Sequence, residues 1–171
     1  KRRVSFSDIA QSEIDEAVEE TLEPLGRDGG ENPAKVVSDL REMMQNKAGI
    51  IRTGDLLEEA ISDLDSLRER ADATSPGGGR VYNPGWHQAL EIGAMIDVSK
   101  MCAIAALRRE ESRGAHTRDD FPETDHEHWG KVNSVISIGD DGSMNIGFVS
   151  YPKIPKELRS LLDSDDLHEE E

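Results

Sequence analysis

The chain has 171 residues, enough for one ordinary domain with its own hydrophobic core. Its formal net charge of -16 excludes the cationic surface that binding to nucleic acid or to an anionic membrane requires. Hydrophobic residues make up 35% and aromatic residues only 4%, so aliphatic side chains must build the core, which favours packed helices. Cys102 is the single cysteine, so no disulfide can form within the chain, and a reducing compartment is expected.

The sequence also limits how the chain relates to a membrane. It contains no apolar run long enough to span a bilayer and no recognisable signal peptide. The first residue is Lys1, and the opening stretch KRRVSF has no features of a protein start. We therefore expect a piece of a longer protein, without direct membrane insertion.

An acidic amphipathic helix is predicted near the amino terminus. Ile14 and Val18 lie at helical spacing, and Ser7 is a candidate N-cap. Pro24 should end this helix, and a glycine-rich linker follows it. We assign residues 1–31 to an N-terminal acidic helix and linker.

Two further helices are predicted before residue 73. Asn32 followed by Pro33 is typical of a helix start, since the asparagine caps and proline is tolerated at the first helical position. Gly49 is a candidate stop, and Thr53 and Asp55 are candidate caps of the next helix. Their apolar faces are Val36, Val37, Leu40, Met43 and Met44 in the first, and Leu56, Leu57, Ala60, Ile61, Leu64 and Leu67 in the second.

The longest helix should start at Asn83, where the Asn-Pro start recurs, and run to about Glu111. It is apolar on more than one face, which is typical of a central helix covered on several sides. Asp97 and Lys100 inside it have the spacing of an ion pair within one helix. Gly114 suits the left-handed residue that follows a helix end.

After Trp129 the pattern changes to alternating apolar residues around Gly-Asp-Asp-Gly at 139–142, which predicts a β-hairpin. The predicted fold is mainly α: a three-helix up-down bundle, spectrin-repeat-like, with an extra N-terminal helix and a C-terminal β-hairpin extension. Its proposed parts are the bundle at 32–130, the hairpin extension at 131–155 and an acidic tail at 156–171.

Motifs that carry cofactor or catalytic chemistry are missing from the sequence. It contains no GxGxxG, P-loop, HExxH, CxxC or GxSxG element. His116, His126 and His128, with Asp120 and Asp125, raise the alternative of a metal site, but they lie on a loop without the fixed offsets of helical ligands. We predict no catalytic, cofactor-binding or metal-binding residue in this chain.

A cluster of charged residues after the longest helix has no local explanation. The cluster comprises Arg108, Arg109, Glu110, Glu111, Arg113, His116, Arg118, Asp119 and Asp120. Helix capping accounts for Arg108, Arg109 and Gly114, but it leaves Arg113, His116 and the pair Asp119 and Asp120 without a purpose. Guanidinium and carboxylate groups form rigid bidentate pairs, which suit the locking of one domain onto another. The sequence therefore indicates an inter-domain or subunit contact here.

These residues also carry a family resemblance. ESRGAH at 111–116, followed by DFP at 120–122, Asp125 and Trp129, resembles the C-terminal signature of the flavoprotein subunit of succinate dehydrogenase and fumarate reductase. The stretch ENPAKVVSDLREMMQNKAGIIRTGDLLEEAISDLDSLRER resembles the start of that family's helical domain, and YNPGWHQALEIGAMI is similar to actinobacterial-type members. The resemblance runs from about Asn32 to about Tyr151. One departure is Glu123, since family members commonly carry Arg after the proline.

The resemblance implies a three-helix bundle with a short β extension, and no catalytic or cofactor site within it. The FAD-binding domain and the residues that act on the dicarboxylate lie upstream in the family. The parent is then a cytoplasmic-side enzyme, held on the inner face of the cell membrane through its complex, that oxidises succinate to fumarate with FAD and passes electrons to quinone. The chain alone should be inactive. Its implied partners are the flavin-binding domain of the same subunit and the iron–sulfur subunit, and its implied contact residues are Arg113, Gly114, His116, Arg118 and Asp120.

Two alternatives remain open at the level of sequence. The C-terminal domain of L-aspartate oxidase carries a similar ESRG element, usually with a bulkier residue in place of Ala115. The acidic composition also fits a free-standing module that binds a basic partner. An upstream GxGxxG domain would favour the two enzymes, and a neighbouring iron–sulfur subunit would select the dehydrogenase.

Overall fold

The structure, a computed structural model, describes residues 9–155 and Leu158. In chain order it contains α1 (Gln11–Leu22), α2 (Pro33–Lys47), β1 (Ile51–Arg52), α3 (Gly54–Asp72), α4 (Pro84–Arg108), β2 (Thr117–Arg118), β3 (Val132–Ile138) and β4 (Met144–Ser150). Short 3₁₀ turns cover Glu23–Gly26 and Trp129–Lys131. The predicted fold class is confirmed: a helical chain with an extra N-terminal helix and a C-terminal hairpin. The predicted tail at 156–171 lies outside the described residues, apart from Leu158.

Side-chain caps set the starts of three helices. The Asn32 side-chain oxygen accepts a hydrogen bond from the N–H of Ala34 at 2.9 Å, and Asn83 does the same for Trp86 at 3.0 Å. The Thr53 hydroxyl accepts an N–H from the first turn of α3 at 3.3 Å. Each cap satisfies a backbone donor that has no partner within its helix. The starts predicted at Asn32, Thr53 and Asn83 are therefore confirmed.

The N-terminal helix α1 starts later than its pattern predicts. The proposed cap Ser7 lies outside the described residues, and α1 begins at Gln11. The Glu13 carboxylate accepts a hydrogen bond from the N–H of Ala10 at 2.8 Å. A carboxylate one turn into the helix thus satisfies the first backbone donor and complements the positive end of the helix dipole.

The chain divides into two compact units, one formed by Lys1–Lys47 and Glu59–Lys100, the other by Ala48–Glu58 and Met101–Glu171. The first unit has an aliphatic core on three helices, as the low aromatic content predicts. Apart from the adjacent pair Val36 and Val37, its buried aliphatic residues recur every three or four positions: Val36, Val37 and Leu40 on α2, Ala60, Leu64, Leu67 and Ala71 on α3, and Ile92 and Ile96 on α4. The domain boundaries proposed after residues 31, 130 and 155 stay predictions.

Charged residues of α4 in the first unit pair with α3 and not with each other. Asp97 accepts a hydrogen bond from Arg68 at 2.9 Å, and Lys100 forms an ion pair with Asp65. The ion pair expected between Asp97 and Lys100 is therefore wrong. Their spacing permits that pair, but an oppositely charged group on α3 offers each of them a partner on another helix.

The second unit contains the predicted hairpin. Strands β3 and β4 pair antiparallel, from Val132 opposite Ser150 to Ile138 opposite Met144. At the turn, the N–H of Gly139 bonds the carbonyl of Ser143 at 2.8 Å, and Gly142 has φ +79°. A residue with positive φ at this point closes a short hairpin loop and favours glycine.

Candidate functional site

The candidate site is the segment 109–125, called here the junction loop, which follows α4 in the second unit. The sequence pattern predicts that helix α4 ends near Glu111, but the helix ends earlier, at Arg108. One Nη atom of Arg118 donates to the carbonyl oxygens of Ala106 at 2.9 Å and Leu107 at 3.0 Å. This guanidinium satisfies carbonyls that the helix end leaves without partners. The end of α4 is therefore set by a residue ten positions further along the chain.

The turn at Gly114 forms the tip of the junction loop. Arg113 and His116 exchange two backbone hydrogen bonds, at 2.8 and 3.0 Å, so that Gly114 and Ala115 are the two central residues of a tight turn. Gly114 has φ +58°, and both central residues are exposed. A positive φ at the first central position is typical of a type II′ hairpin turn. The left-handed conformation expected of Gly114 is confirmed, but its expected place directly after the helix is wrong.

An ion pair at the base of the loop contacts the start of α3. Arg118 donates to both carboxylate oxygens of Asp120 at 2.7 Å, and its side chain is 2% exposed. Asp120 also accepts the N–H of Gly54 at 2.8 Å, the first residue of α3. These hydrogen bonds, first of all those from Arg118, lower the pKa of Asp120 to about 2. A guanidinium at the carbonyl end of α4 and a carboxylate at the amino end of α3 each complement a helix dipole.

Glu111 is the most buried carboxylate of the loop, with a fully buried side chain. It forms ion pairs with Arg109 at 2.6 Å and Arg113 at 3.0 Å, and it accepts the N–H of Asp125 at 2.9 Å. Burial by itself raises the pKa of Glu111, but the hydrogen bonds from Arg113, Asp125 and Arg109 together lower it. Glu111 is thus held ionised, and it joins both ends of the junction loop.

His116 lies between two arginines and is held neutral. Its Nε2 bonds the carbonyl of Arg109 at 3.0 Å, so Nε2 is the donor, and its Nδ1 accepts from Arg52 at 2.6 Å. Burial lowers the pKa of His116, and the charges of Arg52, Arg118 and Arg109 lower it further, against the effect of the Arg109 carbonyl. Through these two hydrogen bonds, His116 links the junction loop to Arg52 on β1.

Ser112 organises the loop backbone. Its hydroxyl donates to the carbonyl of Phe121 at 2.9 Å and accepts the N–H of Arg118 at 2.9 Å, and its own N–H donates to the carbonyl of Glu123 at 2.9 Å. Arg118 also lies over the Phe121 ring, 5.0 Å from its centroid. Each polar residue of the motif thus has a structural partner inside the second unit.

All five residues proposed from sequence as contact residues lie in this loop: Arg113, Gly114, His116, Arg118 and Asp120. Four of them make the side-chain contacts given above, and Gly114 shapes the exposed turn. Sequence reasoning placed Arg109, Glu111 and Ser112 in the cluster or the motif but not among the contact residues, and it missed Arg52 altogether. Position in the ESRGAH motif is a signal for Glu111 and Ser112, whereas nothing local to Arg52 indicates a partner 64 residues away.

The described residues were also searched for metal-binding clusters and for membrane-spanning helices. Over 9–155 and Leu158, no group of three or more His, Cys, Asp or Glu side chains is arranged to hold a metal ion. Within the same ranges, none of the helices has the length and apolar character needed to cross a membrane. The arrangement at the junction loop offers ionised, paired carboxylates and a neutral histidine, a combination that holds backbone in place.

The fold and the loop define the class of protein: a helical domain with a hairpin, stabilised by an arginine–carboxylate network after its longest helix. A solved structure described as the Mycobacterium smegmatis Sdh1 complex in the apo form has this fold, with a TM-score of 0.79 and 33% identity, over 94% of this chain and 28% of that chain. The sequence profile described as "Fumarate reductase flavoprotein C-term" matches residues 37–160, and the chain belongs to this family.

Curated relatives agree with this assignment. The fumarate reductase flavoprotein subunit of Mycobacterium tuberculosis is 36% identical over 122 residues, covering 71% of this chain and 21% of the relative. The fumarate reductase flavoprotein subunit of Escherichia coli is 32% identical over 139 residues, covering 77% of this chain and 22% of the relative. The chain thus spans about a fifth of the length of these relatives.

Proposed function

We propose that the chain is the C-terminal helical domain of a succinate dehydrogenase or fumarate reductase flavoprotein subunit. The parent oxidises succinate to fumarate, or runs the reverse reaction, with FAD, and exchanges electrons with quinone through an iron–sulfur subunit. The observation that carries this proposal is the family match over residues 37–160, which includes the whole junction loop. The domain itself contributes no catalytic group and holds no flavin.

The domain's role in the parent is to support assembly. The junction loop is well suited to a rigid contact, because its exposed Gly114–Ala115 turn is fixed by hydrogen bonds between Arg113 and His116. A contact surface that is already ordered loses little conformational entropy on binding. We assign the flavin-binding domain of the same subunit and the iron–sulfur subunit as partners, with Arg118 and Asp120 acting by holding the loop. The parent complex lies at the inner face of the cell membrane.

Arg113 gives the sharpest test of this role. It is half-buried behind the turn, bonded to Glu111 and to the carbonyl of Asp125 at 3.1 Å. In the complete protein, Arg113→Ala should weaken subunit or domain association about tenfold or more, because the turn loses its support. The KM for succinate should change much less. Gel filtration of the complex against concentration, with steady-state kinetics of the fraction still assembled, separates the two effects.

The matched control is Arg108→Ala, which removes the same charge from an exposed position at the end of α4. This variant should assemble and turn over like the wild-type protein. A changed KM for succinate with unchanged assembly in Arg113→Ala would refute the assembly role.

A further inference from the structure

The imidazole of His116 lies between two groups that both require its neutral form. Its Nδ1 is 2.6 Å from a guanidinium nitrogen of Arg52 on β1, and its Nε2 is 3.0 Å from the carbonyl oxygen of Arg109. A guanidinium only donates and a carbonyl only accepts, so Nδ1 is the acceptor and Nε2 the donor. A second proton, added to Nδ1, would therefore point at a cation and find no acceptor there.

The charged groups around this ring also oppose its protonation. Those that face it come from three segments and are all cationic: Arg52 on β1, Arg118 on β2 and Arg109 after α4. The carboxylates of the junction loop are engaged with these arginines, Glu111 with Arg109 and Asp120 with Arg118. On α4, Cys102 interacts electrostatically with Arg52. Burial, and then the three cations, lower the pKa of His116.

The bond between His116 and Arg52 connects two segments that have little other pairing. Strands β1 and β2 pair in parallel over two residues each. The N–H of Thr117 donates to the carbonyl of Ile50 at 3.2 Å, and the N–H of Asp119 donates to the carbonyl of Arg52 at 2.9 Å. So short a ladder is marginal by itself, and a side-chain bond across it therefore contributes much of its stability.

We propose that His116 is a pH-sensitive switch in the junction loop: protonation of its Nδ1 breaks the bond to Arg52 and releases the loop from β1. The lone pair that accepts from Arg52 is then used by the new N–H bond, and the imidazolium and guanidinium repel each other. The Gly114–Ala115 turn loses its fixed position as a result, because His116 also makes the backbone bonds of that turn.

The direction of the pH dependence follows from the lowered pKa of His116. An unfolded histidine has a pKa of about 6.5, so just below that pH the open loop binds more protons than the closed loop. The stabilisation is therefore complete above about pH 6.5 and is lost as the pH falls from there toward the lowered pKa. Only one consequence, weaker assembly of the parent at mildly acidic pH, rests on the proposed function.

Amide hydrogen exchange of the complete protein, followed by mass spectrometry, tests the switch at about pH 7.5 and about pH 5.5, on either side of the unfolded pKa. The rates are first corrected for the intrinsic effect of pH on exchange. Protection of peptides from 109–121 should then fall severalfold between the two pH values, and at most about tenfold, because opening takes up one proton. Peptides from residues 59–72 of α3, in the first unit, should keep their protection.

Two neutral substitutions remove the switch in different ways. His116→Gln keeps a donor and an acceptor but takes up no proton, so its protection should not change between the two pH values. Arg52→Gln keeps the histidine, and its amide can donate to the neutral ring or accept from the protonated one. Its loss of protection should be smaller than that of the wild type. The control is His87→Gln, an exposed histidine of α4, which should lose protection in 109–121 as the wild type does.

Three results would overturn the proposal: equal protection of the wild-type loop at both pH values, a loss in His116→Gln as large as in the wild type, or an equally large loss in Arg52→Gln. The last comparison decides the question by itself if His116→Gln does not fold. The exchange of the loop is read without reference to flavin or turnover, so failure of the proposed function would leave this result standing.

Discussion

Arg118→Ala should lower the free energy of unfolding by about 3 kcal/mol, because it removes a buried cation and leaves its partners behind. Arg118 is 2% exposed, donates to Asp120 through two bonds of 2.7 Å, and caps the carbonyls at the end of α4. An exposed ion pair contributes only about 0–1 kcal/mol, so burial decides the size of the effect. Urea denaturation followed by circular dichroism measures the change.

Arg108→Ala is the control, since it deletes the same side chain from an exposed site on the same helix. It should change the free energy of unfolding by about 0.5 kcal/mol or less. Equal effects of the two substitutions would show that Arg118 does not connect α4 to α3.

The Arg118 variant should also lose part of its acid sensitivity. The pKa of Asp120 is lowered to about 2 in the folded chain, chiefly by Arg118, whereas an unfolded Asp has a pKa of about 3.9. The stabilisation from this pair is complete above pH about 4 and is lost as the pH falls toward about 2. Between those values, the wild-type free energy of unfolding should fall more steeply than that of Arg118→Ala. Parallel pH profiles of the two proteins would contradict this account.

Glu111→Ala should have an effect of similar size, about 3–5 kcal/mol. Glu111 is fully buried, and its removal leaves Arg109 and Arg113 without their shared carboxylate. The N–H of Asp125 also loses its acceptor. Glu111→Gln should be intermediate, because the amide oxygen still accepts a hydrogen bond but carries no charge. Thermal and urea unfolding of the three proteins measure these differences.

The neighbouring Glu110 provides a matched control, since it carries the same group one position earlier and is exposed. Glu110→Ala should leave the free energy of unfolding within about 0.5 kcal/mol of the wild-type value. If Glu111→Ala were no more damaging than Glu110→Ala, the buried network would not hold the junction loop.

Features set by neighbours in sequence were predictable. The starts of α2 and α4 follow from the Asn-Pro pairs, because a cap and a proline act within one turn. The hairpin follows from alternation around Gly-Asp-Asp-Gly, and the composition of the core follows from the scarcity of aromatic residues. These signals act over a few residues, so a single sequence contains them.

Features set by distant partners were not predictable in this way. The end of α4 depends on Arg118, and the start of α3 is held by Asp120, 66 residues from Gly54. Asp97 and Lys100 form ion pairs with residues of α3, although their spacing also allows them to pair with each other. Glu111 is fully buried between Arg109 and Arg113. A glutamate is almost never fully buried unless it is paired, so its burial could not be predicted before these two ion pairs were known. The loop was recognised by its residue types and its family resemblance, and its geometry came from tertiary contacts.

The junction loop connects this stability to the proposed role. Its polar groups are engaged with one another, and they hold an exposed two-residue turn in one conformation. The network therefore has a structural task, and under the proposed function the chemistry of the parent enzyme belongs to residues outside this chain.

The central claim is that this chain has a structural role and that the flavin chemistry belongs to the rest of the subunit. The most direct test compares this chain with the complete flavoprotein and measures bound FAD and the interconversion of succinate and fumarate in both. The chain produced alone, once circular dichroism shows that it is helical, should retain no flavin and show no turnover, whereas the complete protein should show both. Tightly bound flavin or turnover in the isolated chain would contradict the account.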